Sequence, residues 1–303
     1  MQTATWRQLA AALTLSVPVL VVAAAAPPQV IPVPALDSPP QVDGNLKDWR
    51  QEGWISVPVK PAVEPQDREK LGLSEQDRNQ TGRITVQLKA GVFGDRFYLA
   101  VRWPDESADI EHGGWELRGS RYFDRRLRED MFAVRFHMSG DFDRSMLSNK
   151  NYKVDTWLWS AARTNPAGLA EDMTQTVSTK FIEQAAEYEV QGIGTVYIKK
   201  VRDAGNPIYR LIRPSPTAGV PRAPSFELTG NASGSMADVA AKGVWQAQFW
   251  HLEFSRKLDT GNADDAVFKP GQKLLGQIAV FNRGYDEHKS VSEPLYFDFT
   301  AIK

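Results

Sequence analysis

The stretch "RITVQLKAGVFGDRFYLAVRW", Arg83 to Trp103, decides the fold. Ile84, Val86 and Leu88 alternate with Thr85, Gln87 and Lys89; after Gly94-Asp95 the alternation resumes, with Phe97, Leu99, Val101 and Trp103 on one parity. A period of two puts successive side chains on opposite faces of a strand, and a Gly-Asp pair suits a tight reversal. The stretch therefore predicts an antiparallel hairpin with one buried face.

The same signature recurs in "DMFAVRFHM", "YKVDTWLWSA", "TVYIKKV", "PIYRLIR", "AAKGVWQAQFWHLEFSRKL", "KLLGQIAVFNRG" and "EPLYFDFTAI". Many short alternating segments, divided by Gly, Asp, Asn and Pro, predict a mainly β protein, an antiparallel β-sandwich. Helical periodicity is scarce, and residues 163–190 offer the best room for short helices. Residues 176–233 read as an elaboration inserted into a sandwich that otherwise occupies 27–303. No internal repeat is present.

The chain of 303 residues is 42% hydrophobic, enough to bury a substantial core. With 36 basic and 37 acidic residues, the balance of charge gives no footing for nucleic acid or for a polybasic membrane contact. Residues 1–26 combine Arg7, an apolar run from Leu9 to Val22 and an alanine-rich end with A-x-A sites, the pattern of a cleaved secretory signal. Export to the periplasm follows, with no membrane attachment after cleavage. Cysteine is absent. Disulfides, iron-sulfur clusters, Cys-type zinc sites and covalently attached haem are thereby excluded.

Catalytic signals are weak. The acidic groups Asp105-Glu106, Asp124, Glu129-Asp130 and Asp141/Asp143 have the context of solvated loops, and no nucleophile elbow, H-E-x-x-H or phosphate loop occurs. His112, His137, His251 and His288 are scattered without metal-ligand spacing. The tryptophans Trp157, Trp159, Trp245 and Trp250 suit core packing at period two. They also suit sugar stacking, and "VDGNLKDW" near the start of a sandwich is how some carbohydrate-binding modules begin.

A different function comes from "DRSMLSNKNYKVDTWLWSAA", Asp143 to Ala162, where Met146 sits in a polar loop before a strand rich in tryptophan, and from "GQIAVFNRGYDEHKSVSEPLYFDF" near the other end. Together with "AKGVWQAQFWHLEFSRKLDT" and "DMFAVRF", these segments resemble the haem b-binding gamma subunits of periplasmic molybdenum enzymes. That group includes ethylbenzene dehydrogenase, dimethyl sulfide dehydrogenase, selenate and chlorate reductases, and nitrite oxidoreductase.

The resemblance covers about Pro40 to Phe299, with a gap at the 176–233 elaboration. It implies a non-catalytic subunit whose single haem b is held between Met146 and Lys289, with Trp157 and Trp159 as pocket wall. It also implies three partners: an iron-sulfur beta subunit, a molybdenum catalytic alpha subunit and a soluble periplasmic electron carrier. Leu147 stands where the family often has glycine, and the interval between the two motifs is longer. Met131, Met138 and His288 accordingly stay open as rival ligands, and Arg135, Arg283 and Lys153 as cations for the propionates. The long insertion leans the parent complex toward a nitrite oxidoreductase or nitrate reductase type. A secreted carbohydrate-binding module is the alternative reading.

Overall fold

A computed structural model describes residues 28–64, 68, 79–215, 219–283 and 289–303. The leader at 1–26 and the rival ligand His288 lie outside the described residues. The hairpin forms as the alternation dictates: β3 (Ile84–Phe93) pairs antiparallel with β4 (Arg96–Pro104), so that Val92 faces Phe97 and Leu88 faces Val101. Gly94 closes the turn at φ +59°, a left-handed conformation that glycine adopts without strain.

The other elements follow in chain order. β1 (Gln29–Pro32) and β2 (Ile55–Pro61) precede the hairpin; β5 (Gly113–Arg118) and β6 (Arg121–Leu127) form a small hairpin after it. β7 (Met131–Gly140), β8 (Tyr152–Ser160) and β9 (Glu171–Ser178) pair antiparallel in chain order; β11 (Gly194–Arg202) then pairs with β9, and β10 (Ala186–Val190) lies outside it at the edge. Short ladders join β12 (Gly205–Asn206) to β16 (Ser233–Gly234) and β13 (Tyr209–Leu211) to β15 (Phe226–Leu228), while β14 (Arg222–Ala223) pairs with β5. β17 (Ala240–Gln246), β18 (Phe249–Lys257), β19 (Lys273–Phe281), β20 (Ser290–Ser292) and β21 (Leu295–Asp298) complete the chain.

The principal sheet runs β10-β11-β9-β8-β7-β19-β20-β2-β3-β4-β18-β17 and folds over on itself. Its two halves meet through aromatic residues: Trp103 of β4 stacks on Phe132 of β7 at 5.4 Å, and Trp159 of β8 meets Trp250 of β18 edge-on at 5.0 Å. Burial of such rings is the largest favourable contribution to a core of this kind. The mainly β sandwich expected from the sequence is the observed fold.

No α-helix forms among the described residues at 163–190. A single 3-10 turn at Asn165–Ala167 is followed by β9 and β10, because "EDMTQTVS" carries a strand's alternation and β-branched residues. The β10–β11 hairpin extends the edge of the principal sheet instead of standing apart from it. At the heart of the sandwich Arg256 is fully buried between the rings of Trp157 and Phe268, at 4.9 and 4.7 Å. Burial alone would make its charge harder to keep, but Asp155, Asp172 and Asp265, 2.7, 3.2 and 3.3 Å away, hold the proton more firmly still. Among the described residues no helix is long and apolar enough to cross a membrane.

Candidate cofactor site

A large cleft opens on the outer face of the half-sheet β9-β8-β7-β19-β20, away from the sandwich core. Parity along each strand builds it. On β7 Phe132, Val134 and Phe136 point into the core, while Met131, Ala133 and Arg135 line the cleft. On β19 Gln277, Ala279 and Phe281 line it; on β9 Met173 and Gln175 do so. The space is about 1260 Å³ including its open mouth.

Met146 and Lys289 line this same cleft. They come from loops at opposite ends of the sequence, and both side chains are half-buried. Lys289 leads into β20, whose parity also delivers Val291 to the cleft, and its Nζ lies 5.8 Å from the centre of the Phe281 ring. Met146 packs with Phe142 and Leu147 against Tyr152, Val154, Val177 and Ile198.

Two arginines fix these segments. Arg135 is buried in the cleft wall; its Nε donates to Gln277 Oε1 at 2.8 Å, its Nη1 to the Tyr152 hydroxyl at 3.1 Å, and its Nη2 to the carbonyls of Asp143 and Arg144 at 2.7 and 3.1 Å. Its guanidinium also lies over Phe142, 4.8 Å from the ring centre. Arg144 donates onward to the carbonyls of Lys60 and Pro61 at 3.2 and 2.9 Å. The next residue, Ala62, donates its N–H to Lys289 O at 2.9 Å. The methionine loop and the lysine segment are thus moored to the same end of β2.

Of the two readings of Trp157 and Trp159, core and pocket wall, the core holds, and the wall is supplied one residue away. Trp157 and Trp159 are fully buried in the core, on the parity facing β4 and β18; their neighbours Thr156 and Leu158 line the cleft. In a strand a shift of one residue exchanges the two faces. Of the rival sulfurs, Met138 packs against the sandwich core, whereas Met131 does line the cleft. Its Sδ, however, accepts from Arg163 Nη2 at 3.3 Å.

Arg163 in turn pairs with the buried Glu129 and donates to the Tyr209 hydroxyl at 2.9 Å. Burial would push the Glu129 carboxyl up, but neighbouring His112 and Arg163 hold it below the usual carboxylate range. Of the cations named from sequence, Arg135 lies on the cleft. Arg283 instead sits 3.4 Å from Asp109, and neither it nor Lys153 is among the lining residues. Arg144, Arg163 and Lys200 line it without having been foreseen. For Arg144 the available signal was its position two residues before Met146, and for Arg163 its place directly after the tryptophan segment that ends at Ala162; Lys200 lies far from either motif.

Fold and cleft together define a β-sandwich protein with a large pocket, apolar at its base and bordered by cations, on the outer face of one half-sheet. The profile of the ethylbenzene dehydrogenase family matches residues 47–292, and the chain belongs to that family, a group of subunits associated with molybdenum enzymes. No match was found among curated proteins. Among solved structures, the chain is similar to a putative carbohydrate-binding protein from Bacteroides uniformis ATCC 8492. The identity is 8% and the TM-score 0.41, over 89% of this chain and 91% of the other.

Proposed function

We propose that the chain is the electron-transfer subunit of a periplasmic molybdenum oxidoreductase complex, and that its cleft holds one non-covalent haem b with Met146 and Lys289 as axial ligands. The observation that carries this reading is the convergence of that thioether and that amine on one cleft. The fit extends beyond the two donors. Ala133, Leu158, Ala279 and Val291 give the base an apolar surface, Arg144 and Lys200 offer cations for carboxylates on a ligand's edge, and the buried Thr156 hydroxyl is without a hydrogen-bond partner among the described residues.

The haem supplies a one-electron couple at its iron. Met146 contributes a soft, neutral donor of the kind that raises a reduction potential relative to nitrogen ligands. Lys289 can ligate only through a free lone pair, so it releases a proton when it binds. Arg135 and Arg144 hold the sulfur-bearing loop in place. Held by two protein side chains, a haem here would offer substrate no open position, and catalysis would belong to the molybdenum subunit. Electrons would pass between an iron-sulfur subunit and a soluble carrier. The insertion around 176–233 favours a parent complex of nitrite oxidoreductase or nitrate reductase type.

Trp157, Trp159 and Trp250 are buried in the core and offer no open face for sugar stacking; Trp245 is half-buried, its indole N–H donating to Asp105 O at 3.0 Å.

The test is reconstitution of the purified protein with haem b. A Soret band and a low-spin spectrum are expected. Lys289→Ala and Met146→Ala should each change the low-spin bands. Absence of a Soret band from protein with an intact β spectrum in circular dichroism would overturn the proposal, and an unchanged spectrum in Lys289→Ala would move the ligand role to another residue.

A further inference from the structure

On the far face of β9 from the cleft, acidic residues from four segments converge. Asp172 and Thr174 have the parity opposite to Met173 and Gln175, and they meet Asp203 at the end of β11 and Asp264 and Asp265 from the loop after β18. One carboxylate oxygen from each of Asp203, Asp264 and Asp265 lies within 4.8 Å of the others. A second triad, Asp155, Asp172 and Asp265, already holds the Arg256 guanidinium. Among the described residues, the salt bridges of the cluster all run to Arg256.

The first triad contains an oxygen that nothing satisfies. Asp203 is 4% exposed; its Oδ1 accepts from the Thr174 hydroxyl at 2.9 Å, but its Oδ2 has no hydrogen-bond partner among the described residues. Asp238 beside them carries one such oxygen as well, whereas the Asp155 and Asp172 carboxyls hydrogen-bond to each other. A buried carboxylate oxygen that gives up water without a donor or cation in exchange is costly, and several together repel one another.

We propose that Asp203, Asp264 and Asp265 bind a divalent cation, calcium by its ligand chemistry. Calcium takes six to eight oxygen ligands in flexible geometry, from carboxylates, carbonyls and hydroxyls. The site supplies those types: three carboxylates, the Asp264 carbonyl that already accepts from Thr174 at 3.3 Å, and the Ser235 hydroxyl 3.0 Å from Asp264 Oδ1. An adjoining cleft lined by Ser235, Asp238, Thr260 and Asn262, with Arg96, Arg256 and Lys257, gives water and ligands from outside a route toward it. The ion would tie the end of β11 to the β18–β19 loop, behind the strands that floor the cofactor cleft. This site does not depend on the haem assignment.

The test uses the whole purified protein without added haem, stripped with a chelator and titrated with calcium chloride. Metal analysis should find one tightly held calcium per chain, and thermal unfolding should shift upward by several degrees as the ion is added. Asp203→Asn with Asp264→Asn keeps the shape of the site and removes two charges. The doubly substituted protein should be at least as stable as the stripped native protein and should lose the calcium response. A stripped protein that unfolds at the same temperature with and without calcium and retains no ion in the metal analysis would overturn the proposal. An equal shift with magnesium chloride would overturn the choice of calcium.

Discussion

Replacement of Arg135 by lysine tests how the methionine loop is held, because it keeps the charge and removes the fork. The native guanidinium reaches the Asp143 and Arg144 carbonyls through one nitrogen while also serving Gln277 and Tyr152. A lysine ammonium, a single point donor, cannot satisfy both sides. Hydrogen bonds from a charged donor contribute about 1.5–3 kcal/mol each, and the contact over Phe142 adds roughly 0.5–1 kcal/mol. Loss of one carbonyl bond and most of the ring contact therefore weakens the tether by about 3 kcal/mol, or about a hundredfold in the loop's open population at 1.4 kcal/mol per factor of ten.

The amides of Ser145 and Leu147, which bond Asp143 Oδ1 and Ser145 Oγ at 2.8 and 3.1 Å, report that opening directly by hydrogen exchange. Their exchange should accelerate by about two orders of magnitude while amides in the centre of β4 stay protected. The apparent Kd for haem should rise in proportion to the fraction of loop no longer competent. Unchanged exchange at Ser145 in Arg135→Lys, with unchanged haem affinity, would refute the mooring argument. The preserved charge rules out long-range electrostatics as the reason for any loss.

Four further outcomes follow from the packing and from one buried carboxyl. Leu158→Trp should fill the cleft base and suppress the Soret band in a protein that still folds. Trp157→Ala, one residue away on the other face, should instead cost about 3–5 kcal/mol in urea denaturation. Gly243→Ala places a methyl 2.4 Å from the Trp159 ring and should destabilise by about 1–3 kcal/mol, read as a shift of the urea midpoint. Asp105, buried with an unpartnered Oδ2, has its carboxyl pushed up to about 6, first by burial and then by Asp109 and Glu106. The folded chain binds that proton more tightly than the unfolded chain, so stability falls as pH rises from about 4 to about 6. Asp105→Asn should flatten this part of the stability profile by on the order of 1–2 kcal/mol; an unaltered slope would place the titration elsewhere.

Alternation made the sheet legible. The alternation read from Arg83–Trp103 holds in the pairing of β3 with β4, but the expected single buried face does not, because Tyr98 and Ala100 on the other parity of β4 are buried against Trp49; the tryptophan strand, β8, lies beside β7. What alternation does not reveal is which face of a doubly buried strand looks at a core and which at a ligand. Trp157 and Trp159 could be read as core or as pocket wall for that reason: both parities of "TWLWS" are apolar enough to be buried, and the choice of core is made by β4 and β18, which are distant in sequence. Met146 and Lys289 were legible only as members of familiar motifs. The mooring by Arg135 and Arg144 was not legible, because its acceptors are backbone carbonyls of residues 143–144 and 60–61, and a carbonyl leaves no mark in sequence. The acidic triad escaped similarly, since Asp203 and Asp264 belong to segments that meet only after β9 has joined β11.

Division of labour between the two faces of β7 and β8 bears on how binding relates to folding. The large aromatic residues are spent on the inner face, where Phe132, Phe136, Trp157 and Trp159 close the sandwich without help from the cleft. The outer face carries small and soft residues, Ala133, Thr156, Leu158 and Met131. A core complete on one side needs nothing from the other, so the ligand-free chain should already unfold cooperatively. Haem would then add only the stabilisation that follows from its free concentration relative to Kd. Met146 and Lys289, the proposed donors, sit just outside regular strands, in a loop after β7 and at the entry to β20, where a small adjustment of backbone costs little. Their coupling through Arg144 and the end of β2 limits that freedom to movements in which both shift together. Such a coupling would keep the proposed sulfur and amine donors in step with each other.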